Sequence, residues 1–358
     1  MINPKISVAV TTYKRPKMVE DIIKSFLFQT YKNSELVIVD DCIEDISTQE
    51  MVQKYMKIDP RIRFIKNKKN LGYSKNFLKS LMECSGEYIL TLGDDDLLLQ
   101  EKTLEYYVDI FEKYPDVGYI YSNIIQFNNQ YEPDYIYNIF KEDTYFSDKE
   151  KIFQEIRLKS CYIPWIGLRN IKNFDELYPK DDRLFPQVEM IGKMLVNYNA
   201  YGISEYLIAG RAHNDQLGLY AVKWKRIKKT ERHSSLELPE IFEIVKKYFK
   251  ERWIILKLDK KFVNDFFRNS HATILPTEKI NTWNVNVLRV FIKWLKANPK
   301  MLLDLRYLFY LIISLSFPAS LLLKLKEWYK KKLINRYYSN EKKCFLQSIQ
   351  KMHLFWCR

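Results

Sequence analysis

The residues best suited to chemistry are three consecutive aspartates, Asp94, Asp95 and Asp96. Adjacent carboxylates repel one another and resist burial, so a fold that keeps them together needs a compensating positive charge. Mg²⁺ and Mn²⁺ supply that charge well, because they prefer oxygen ligands and share their coordination shell with phosphates. A cation there also neutralises the charge that develops when a bond to a diphosphate breaks. The alternative is a solvated acidic turn that caps the next helix.

The apolar runs around these acids predict the elements that position them. Five runs are predicted strands and alternate with helical patterns: Lys5–Thr12, Glu35–Val39, Ile62–Lys66, Tyr88–Leu92 and Val117–Ser122. This alternation predicts an α/β fold with a doubly wound, mostly parallel sheet, which binds ligands at the carboxyl ends of its strands. Asp40-Asp41 follows the second run and the triplet follows the fourth, so both acid groups are expected at that edge.

Four motifs in this part of the chain resemble family 2 glycosyltransferases of the GT-A fold. They are SVAVTTYKRP at Ser7–Pro16, ELVIVDD at Glu35–Asp41, NLGYSKN at Asn70–Asn76 and GEYILTLGDDD at Gly86–Asp96. The resemblance covers roughly residues 4–215 and fades after that. It implies a metal-dependent enzyme that transfers a sugar from a nucleotide-diphosphate donor to an acceptor with inversion of the anomeric centre.

The same resemblance implies which residues bind the nucleotide. Donor-binding positions are Thr11, Thr12 and Tyr13 for the base and ribose, Arg15 near the phosphates, Asp40 and Asp41 for the base, and Asn70, Gly72 and Asn76 for the shape of the pocket. Gly72 is expected to allow a close backbone approach or a positive φ. Packing remains an alternative for Tyr13, and an ordinary helical position remains one for Asn76.

The resemblance also implies a metal shell. Asp96 would ligate Mn²⁺ or Mg²⁺ directly, while Asp94 would hold the ribose or reach the metal through water, and Asp95 is a further donor-binding residue. His213 could complete the shell as a neutral imidazole, and Arg211 could pair with phosphate oxygens. A plain surface loop is the alternative for these last two residues.

The catalytic base is less clearly marked. Inverting enzymes need a carboxylate that deprotonates the acceptor hydroxyl, and related sequences place acids at the start of a helix after the metal motif. Here that helix starts near Pro186-Gln187, where those acids are missing. Glu189, just inside the helix, and Asp182, just before it, are the two candidates. Helix capping and a solvated helix face are the alternative roles.

Trp165, in a short apolar segment between the metal motif and these acids, is a candidate sugar platform. Aromatic faces pack against the apolar face of a pyranose ring. Core packing explains the residue equally well.

The basic charge is concentrated in the last third of the chain. The net charge is +14; residues 1–230 hold 33 basic and 33 acidic side chains, and residues 231–358 hold 25 and 11. Together with the resemblance, which implies a GT-A domain at 1–230, this predicts a basic, helical region at 231–358 that meets a negatively charged partner. No nucleic acid is expected, because no recognised nucleic-acid motif is present.

An apolar segment at 302–326 suggests what that partner is. The 17 residues from Tyr307 to Leu323 carry no charge, and lysines and tryptophans flank them. The pattern is typical of a helix at a membrane interface, and a buried helix and a short membrane span are the alternatives. The chain starts without a signal-like apolar stretch and its five cysteines lack redox or metal spacing. These features predict a cytoplasmic protein, peripheral at the inner leaflet of the membrane, with a lipid-linked or glycan acceptor.

Two other functions remain open at this point. A sugar nucleotidyltransferase shares a similar fold, but it usually carries a glycine-rich loop after its first strand, and residues 11–16 contain no glycine. A non-catalytic, membrane-associated partner subunit would keep the donor site without its base. The primary prediction is an enzyme of cell-surface polysaccharide or lipooligosaccharide biosynthesis.

Overall fold

The structure is a computed structural model that describes residues 5–159, 165–180, 186–211, 244–254, 305–318 and 339–356, with isolated positions between 288 and 332. Its first part alternates strands and helices: β1 Ile6–Thr12, α1 Pro16–Leu27, β2 Ser34–Asp40, α2 Ser47–Met56, β3 Ile62–Lys66, α3 Tyr73–Met82, β4 Tyr88–Gly93, β5 Leu97–Leu98, α4 Thr103–Lys113 and β6 Val117–Phe127. The second part is β7 Pro133–Tyr137, β8 Thr144–Phe146, α5 Lys149–Lys159, β9 Ile166–Arg169, α6 Phe174–Leu177, α7 Pro186–Met194 and β10 Asn199–Arg211. Three further helices are α8 at 244–251, α9 Leu305–Ser316 and α10 Ser339–Trp356.

The strands form one mixed sheet in the order β3-β2-β1-β4-β9-β6-β10-β5. Strands β1 to β4 pair in parallel, and β10 is parallel to β6. Strand β9 lies antiparallel between β4 and β6, so it is reversed within an otherwise parallel centre. The predicted doubly wound, mostly parallel sheet is therefore confirmed.

Local sequence explains the elements around the acid groups. In β2 every residue is buried, and in β1 all but one are, as expected for strands covered by helices on both faces. Helix α1 begins at Pro16, whose fixed φ suits a first helical turn. Its residues Val19, Ile22, Ile23 and Phe26 are buried together, because positions three and four apart share one helix face. This packing fixes the β1–α1 turn beside the sheet.

The C-terminal helices contact the N-terminal domain. Val245 of α8 packs so closely on Gly192 that a Cβ at 192 would lie 2.7 Å from it, and Phe249 packs edge-on against Phe153. The ring centre of Phe345 in α10 lies 5.6 Å from that of Phe127 at the end of β6. The division at residue 230 stays a prediction.

The predicted C-terminal helices are described in part. Of the region 231–358, which the sequence predicts to be helical, the structure describes α8, α9, α10 and isolated positions. Within 302–326 the structure describes α9, which ends before Phe317-Pro318, and isolated helical positions after it. In the part of the chain that the structure describes, no helix has the length and apolar character needed to cross a membrane.

Candidate active site

The carboxyl ends of three adjacent strands bring the predicted residues together. Thr12 of β1 lies opposite Asp40 of β2, and Thr11 lies opposite Gly93 of β4. Because Asp94 directly follows β4, the two acid groups are neighbours across the end of β1. The strand-end rule therefore located this edge correctly.

The aspartate triplet is buried at this edge. Arg15 Nη1 donates hydrogen bonds to Asp94 Oδ1 at 2.9 Å and to Asp95 Oδ2 at 3.1 Å. Thr12 Oγ1 donates to Asp94 Oδ2 at 2.8 Å, and the Gly93 backbone N–H donates to Asp96 Oδ2 at 2.6 Å. All three aspartates are less than a tenth exposed. The triplet is thus an enclosed cluster rather than the solvated acidic turn that was the alternative.

Burial makes this cluster electrostatically costly. It raises the pKa of Asp94, the charge of Asp95 raises it further, and Arg15 and Thr12 only partly oppose this. The pKa of Asp96 is raised well above its usual value by burial and by Asp95, against the Gly93 N–H and the neighbouring Trp165 indole. A bound cation would favour the charged form of both groups.

The oxygen donors fit a hard divalent cation in their chemistry. Carboxylates are the ligands that Mg²⁺ and Mn²⁺ prefer, and Mg²⁺ usually keeps water and substrate phosphates in its shell. Among the described residues no three His, Cys, Asp or Glu side chains form a complete metal site. His213, the predicted additional ligand, lies outside the described residues.

Asp40 and Asp41 have different surroundings although they are adjacent. Asp40 is fully buried, its Oδ1 accepts from Cys42 N at 3.0 Å, and its Oδ2 has no hydrogen-bond partner within the described chain. Burial raises the pKa of Asp40, and the charge of Asp41 adds to this effect. A buried acceptor without a donor is costly, so Asp40 Oδ2 is suited to an N–H group of a ligand.

Asp41 instead holds the loop before α3. Its Oδ1 accepts from Leu71 N and Asn67 Nδ2, both at 2.8 Å, and its Oδ2 accepts from Gly72 N at 2.9 Å. Gly72 has φ +76°, a conformation that side-chain-bearing residues rarely adopt. Asn70 Oδ1 also accepts from Gly72 N, at 3.0 Å. Asp41 therefore orders the loop that carries two of the predicted pocket residues, Asn70 and Gly72.

Asn76 joins α3 to the sheet. Its Oδ1 accepts from Asn67 Nδ2 at 2.8 Å, and its Nδ2 donates to Val39 O at 3.3 Å. Asn67, which sequence reasoning missed, thus bridges Asp41 and Asn76. The signal was present, because Asn67 directly follows β3 and sits at the same edge of the sheet.

The β1–α1 turn forms the outer rim of the site. Lys14 has φ +58°, and its Nζ lies 5.3 Å from the centre of the Tyr13 ring. Tyr13 is exposed and Thr11 is half-buried. The turn therefore places an exposed aromatic side chain directly after the end of β1.

Arg211 lies in a second buried cluster at the end of β10. Its Nη2 donates to Asp21 Oδ2 at 2.7 Å, and Tyr131 Oη donates to the same oxygen at 2.7 Å. The guanidinium stacks 4.7 Å from the Phe127 ring centre and 5.0 Å from that of Tyr131. Asp21 was not predicted, since it lies 190 residues from Arg211 in the sequence. The phosphate role of Arg211 stays a prediction.

The two candidate bases differ in what the structure describes. Glu189 in α7 is buried, and its Oε1 lies 2.6 Å from Lys193 Nζ one helical turn later. Asp182 lies outside the described residues. The identity of the base stays a prediction.

Known proteins resemble the part of the chain that builds this edge. Residues 7–172 match the model of glycosyl transferase family 2. These residues belong to that family. The family 2 region contains β1 to β4, the acid triplet and β9. Arg211 and both candidate bases lie after it.

Curated relatives match this chain over part of its length. An uncharacterized glycosyltransferase of Methanocaldococcus jannaschii is 33% identical over 158 residues, which is 44% of this chain and 51% of the relative. A GalNAc(5)-diNAcBac-PP-undecaprenol beta-1,3-glucosyltransferase of Campylobacter jejuni is 35% identical over 116 residues, 30% of this chain and 37% of the relative. The chain thus spans about half or less of the length of these relatives.

A solved structure extends the likeness to most of the chain. It is S. aureus TarS 1–349 in complex with UDP-GlcNAc, with a TM-score of 0.50 and 17% identity over 86% of this chain and 91% of that chain. At this identity the likeness shows the fold alone. It confirms the GT-A-type fold that the motifs predicted.

Proposed function

We propose that this chain is a metal-dependent glycosyltransferase that moves a sugar from a nucleotide-diphosphate donor to a glycan or lipid-linked acceptor, with inversion of the anomeric centre. The observation that carries this proposal is the buried aspartate triplet at the ligand edge of a family 2 fold. Asp96 would hold Mn²⁺ or Mg²⁺, with Asp94 as a second ligand or through water. The cation would neutralise the charge of the departing diphosphate.

The nucleotide would lie over the ends of β1 and β2. Asp40 Oδ2, buried and without a donor among the described residues, would accept an N–H of the base. Tyr13 would pack on the base, and Thr11 and Thr12 would line the ribose. Asp41 would act through the loop it holds, with Asn70, Gly72 and Asn76 shaping the pocket.

The chain's own cations would then contact the diphosphate. Arg15 already pairs with Asp94 and Asp95, so it lies beside the proposed cation and can turn toward a phosphate. Arg211 and His213 would approach from the end of β10. Guanidinium groups suit this role because their paired N–H donors match phosphate oxygens.

The acceptor hydroxyl would lose its proton to a carboxylate. Glu189 is our first choice and Asp182 the second, because both flank the start of α7. As the proton moves to the carboxylate, the acceptor oxygen would attack the anomeric carbon from the face opposite the departing nucleoside diphosphate, and this single displacement gives an inverted glycoside.

The acceptor class is proposed from the names of relatives. The Campylobacter jejuni relative is named for a substrate linked to undecaprenol diphosphate, and a Bacillus subtilis relative is named a putative teichuronic acid biosynthesis glycosyltransferase. A lipid-linked acceptor would place the chain at the cytoplasmic surface of a membrane, in cell-surface polysaccharide or lipooligosaccharide biosynthesis.

Helix α9 supports this membrane contact. Leu311 and Leu315 pack against the core. Leu305, Phe309 and Ile312 are 81%, 58% and 60% exposed and follow helical spacing. A helix that is apolar on both faces, next to a basic region, suits a shallow position among anionic lipid headgroups.

A vesicle assay tests the membrane contact. We expect the full chain to sediment with phosphatidylglycerol vesicles, and Phe309→Ser with Ile312→Ser to weaken that binding, since each buried apolar side chain adds about 1.5 kcal/mol or more, roughly tenfold in partition. The matched control is Ile58→Ser with Met82→Ser. Both residues are exposed, and they lie just after α2 and at the end of α3. Equal losses in both pairs, or no sedimentation of the wild type, would exclude α9 as the contact.

A donor screen tests the enzymatic function. The full chain is incubated with UDP-, GDP- and dTDP-sugars in Mn²⁺, in Mg²⁺ and in EDTA, and release of the nucleoside diphosphate is measured. We expect turnover of one donor class only when a cation is present. Binding without turnover for every donor would favour the non-catalytic partner subunit. Synthesis of a nucleotide sugar from a sugar 1-phosphate would identify a nucleotidyltransferase.

A further inference from the structure

Trp165 has an unusual backbone beside the acid triplet. Its φ is +96°, a region that bulky residues rarely adopt and that costs on the order of 1–3 kcal/mol. Its N–H donates to Thr91 O of β4 at 2.8 Å, and its side chain is 3% exposed. The surroundings therefore hold the indole in one place at the start of β9. Such burial also argues against its face serving as a sugar platform.

Gly210 of β10 is where the indole and the triplet meet. A Cβ on Gly210 would lie 2.4 Å from Trp165 Cζ2, a distance that real Cβ atoms do not show, and 3.1 Å from Cε2, which is a tight contact. The same Cβ would lie 3.2 Å from Asp96 Oδ1. Any side chain at 210 would therefore displace the indole, the carboxylate or both.

The other side of Asp96 is fixed by the chain itself. Asp96 Oδ2 accepts from Gly93 N at 2.6 Å, and a Cβ on Gly93 would lie 2.8 Å from that oxygen. Oδ2 is thus fixed by the β4 turn, while Oδ1 faces Gly210 and the indole. The position of Oδ1 depends on two residues that lie 69 and 114 positions away in the sequence.

We infer that Trp165 and Gly210 are positioning residues that fix Asp96 Oδ1 for a divalent cation. The indole packs on the bare backbone of Gly210 and limits the carboxylate to one orientation. A ligand held in one orientation loses less entropy on binding, which is how groups behind metal ligands raise affinity. The inference rests on the proposed metal-dependent function, and it adds residues from β9 and β10 to it.

Mn²⁺ titration of the full chain, followed by the paramagnetic resonance signal of free Mn²⁺ with and without UDP or GDP, tests this inference. We expect Trp165→Phe and Gly210→Ala each to weaken Mn²⁺ binding about tenfold or more, as changes behind metal ligands do. Gly202→Ala is the matched control on the same strand, because its Cβ would lie 2.3 Å from Phe140, away from the triplet.

The outcomes separate the two proposals. If the wild type binds no Mn²⁺ under any of these conditions, the metal role itself is wrong and the inference goes with it. If the wild type binds Mn²⁺ and both variants match Gly202→Ala, the metal role stands and the positioning role is wrong. The melting temperature and the binding of UDP or GDP in EDTA identify a general loss of structure. Such a loss would lower nucleotide binding and Mn²⁺ binding together. A selective loss of Mn²⁺ affinity supports the inference.

Discussion

Buried carboxylates at the two ends of the parallel strands have pKa values that are shifted in opposite directions. At the amino end, Glu35 accepts hydrogen bonds from Ser7 Oγ at 2.6 Å, Ser85 N at 2.7 Å and Lys5 Nζ at 3.0 Å. Although burial opposes this, those donors lower the pKa of Glu35 to about 2. At the carboxyl end, the pKa values of Asp94 and Asp96 are raised.

This difference indicates what each acid does. Glu35 of β2 accepts hydrogen bonds from Ser7 of β1, from Arg63 of β3 and from Ser85 just before β4, so its charge is compensated and it serves the fold. Arg15 and Thr12 compensate only part of the negative charge of the triplet. The fully charged triplet is therefore stabilised only when a ligand supplies more positive charge. Buried acids that are satisfied stabilise a protein, whereas those that are not are candidates for function.

The largest expected effect comes from Asp96→Asn. Losing a direct metal ligand should reduce metal-dependent turnover by about 1000-fold, since the cation contributes several kcal/mol of charge stabilisation. Removing one repelling charge should raise the melting temperature of the metal-free protein. Donor turnover and calorimetry measure both, with Asp109→Asn on the exposed face of α4 as control. Full turnover in Asp96→Asn would contradict the metal-ligand role of Asp96 and thus the difference between the two ends of the strands.

Glu189→Gln tests whether an acid that is paired with Lys193 can serve as the catalytic base. As the proposed base, its loss should lower transfer by about 100-fold or more while donor binding is kept. Transfer rates and donor affinity for Glu189→Gln and Asp182→Asn decide the assignment. If only Asp182→Asn loses transfer, Glu189 belongs with Glu35 among the acids that serve the fold.

Glu35→Gln should act on stability alone. The charge that pairs with the partly exposed Lys5 and Arg63 disappears, and the hydrogen bonds to Glu35 become weaker, so the free energy of unfolding should fall by about 1–2 kcal/mol. Mn²⁺ affinity, measured below the melting temperature, should not change. A selective change in Mn²⁺ affinity would contradict the separation of the two ends.

The smallest effect is a pH dependence of opposite sign at the two ends. Asp94, with its raised pKa, holds a proton that the unfolded chain has released, so metal-free stability should fall as pH rises from about 4 to about 6. Glu35, with its lowered pKa, contributes stability above about pH 4.5 that is lost as pH falls toward 2. Each effect is on the order of 1 kcal/mol or more. Melting curves should show a maximum between about pH 4 and 4.5, and saturating Mn²⁺ should remove the loss above it.

The sequence predicted the elements whose signals are local. Strand β1 and helix α1 follow from an apolar run and from Pro16, and the acid triplet was recognised from its place after β4. Strand β9 was missed because it has four residues and pairs with β4 far away in the sequence, as Tyr88 with Arg169. Helix α10 lies in the region predicted to be helical, but its bounds were not predicted, since its apolar positions are spaced among charged ones.

Contacts between distant residues account for the rest of the site. Asp41 was recognised, but its hydrogen bonds to Leu71 and Gly72 show a loop-holding role that the acid pair alone did not reveal. The Asp21 pair of Arg211 and the meeting of Trp165 with Gly210 depend on how β6, β9 and β10 pair. Such contacts follow from the complete sheet order and from no single segment.

The reversed direction of β9 separates the contacts at the ligand edge from the link to the next helix. A parallel strand delivers its final residues to the ligand edge, and the loop after it then carries both substrate contacts and the link to the next helix. Because β9 runs the other way, its first residue reaches that edge and its last residue, Arg169, anchors the far side at Val117 and Phe111. The link to the next helix, α6, therefore leaves from the far edge of the sheet, on the opposite side from Asp94.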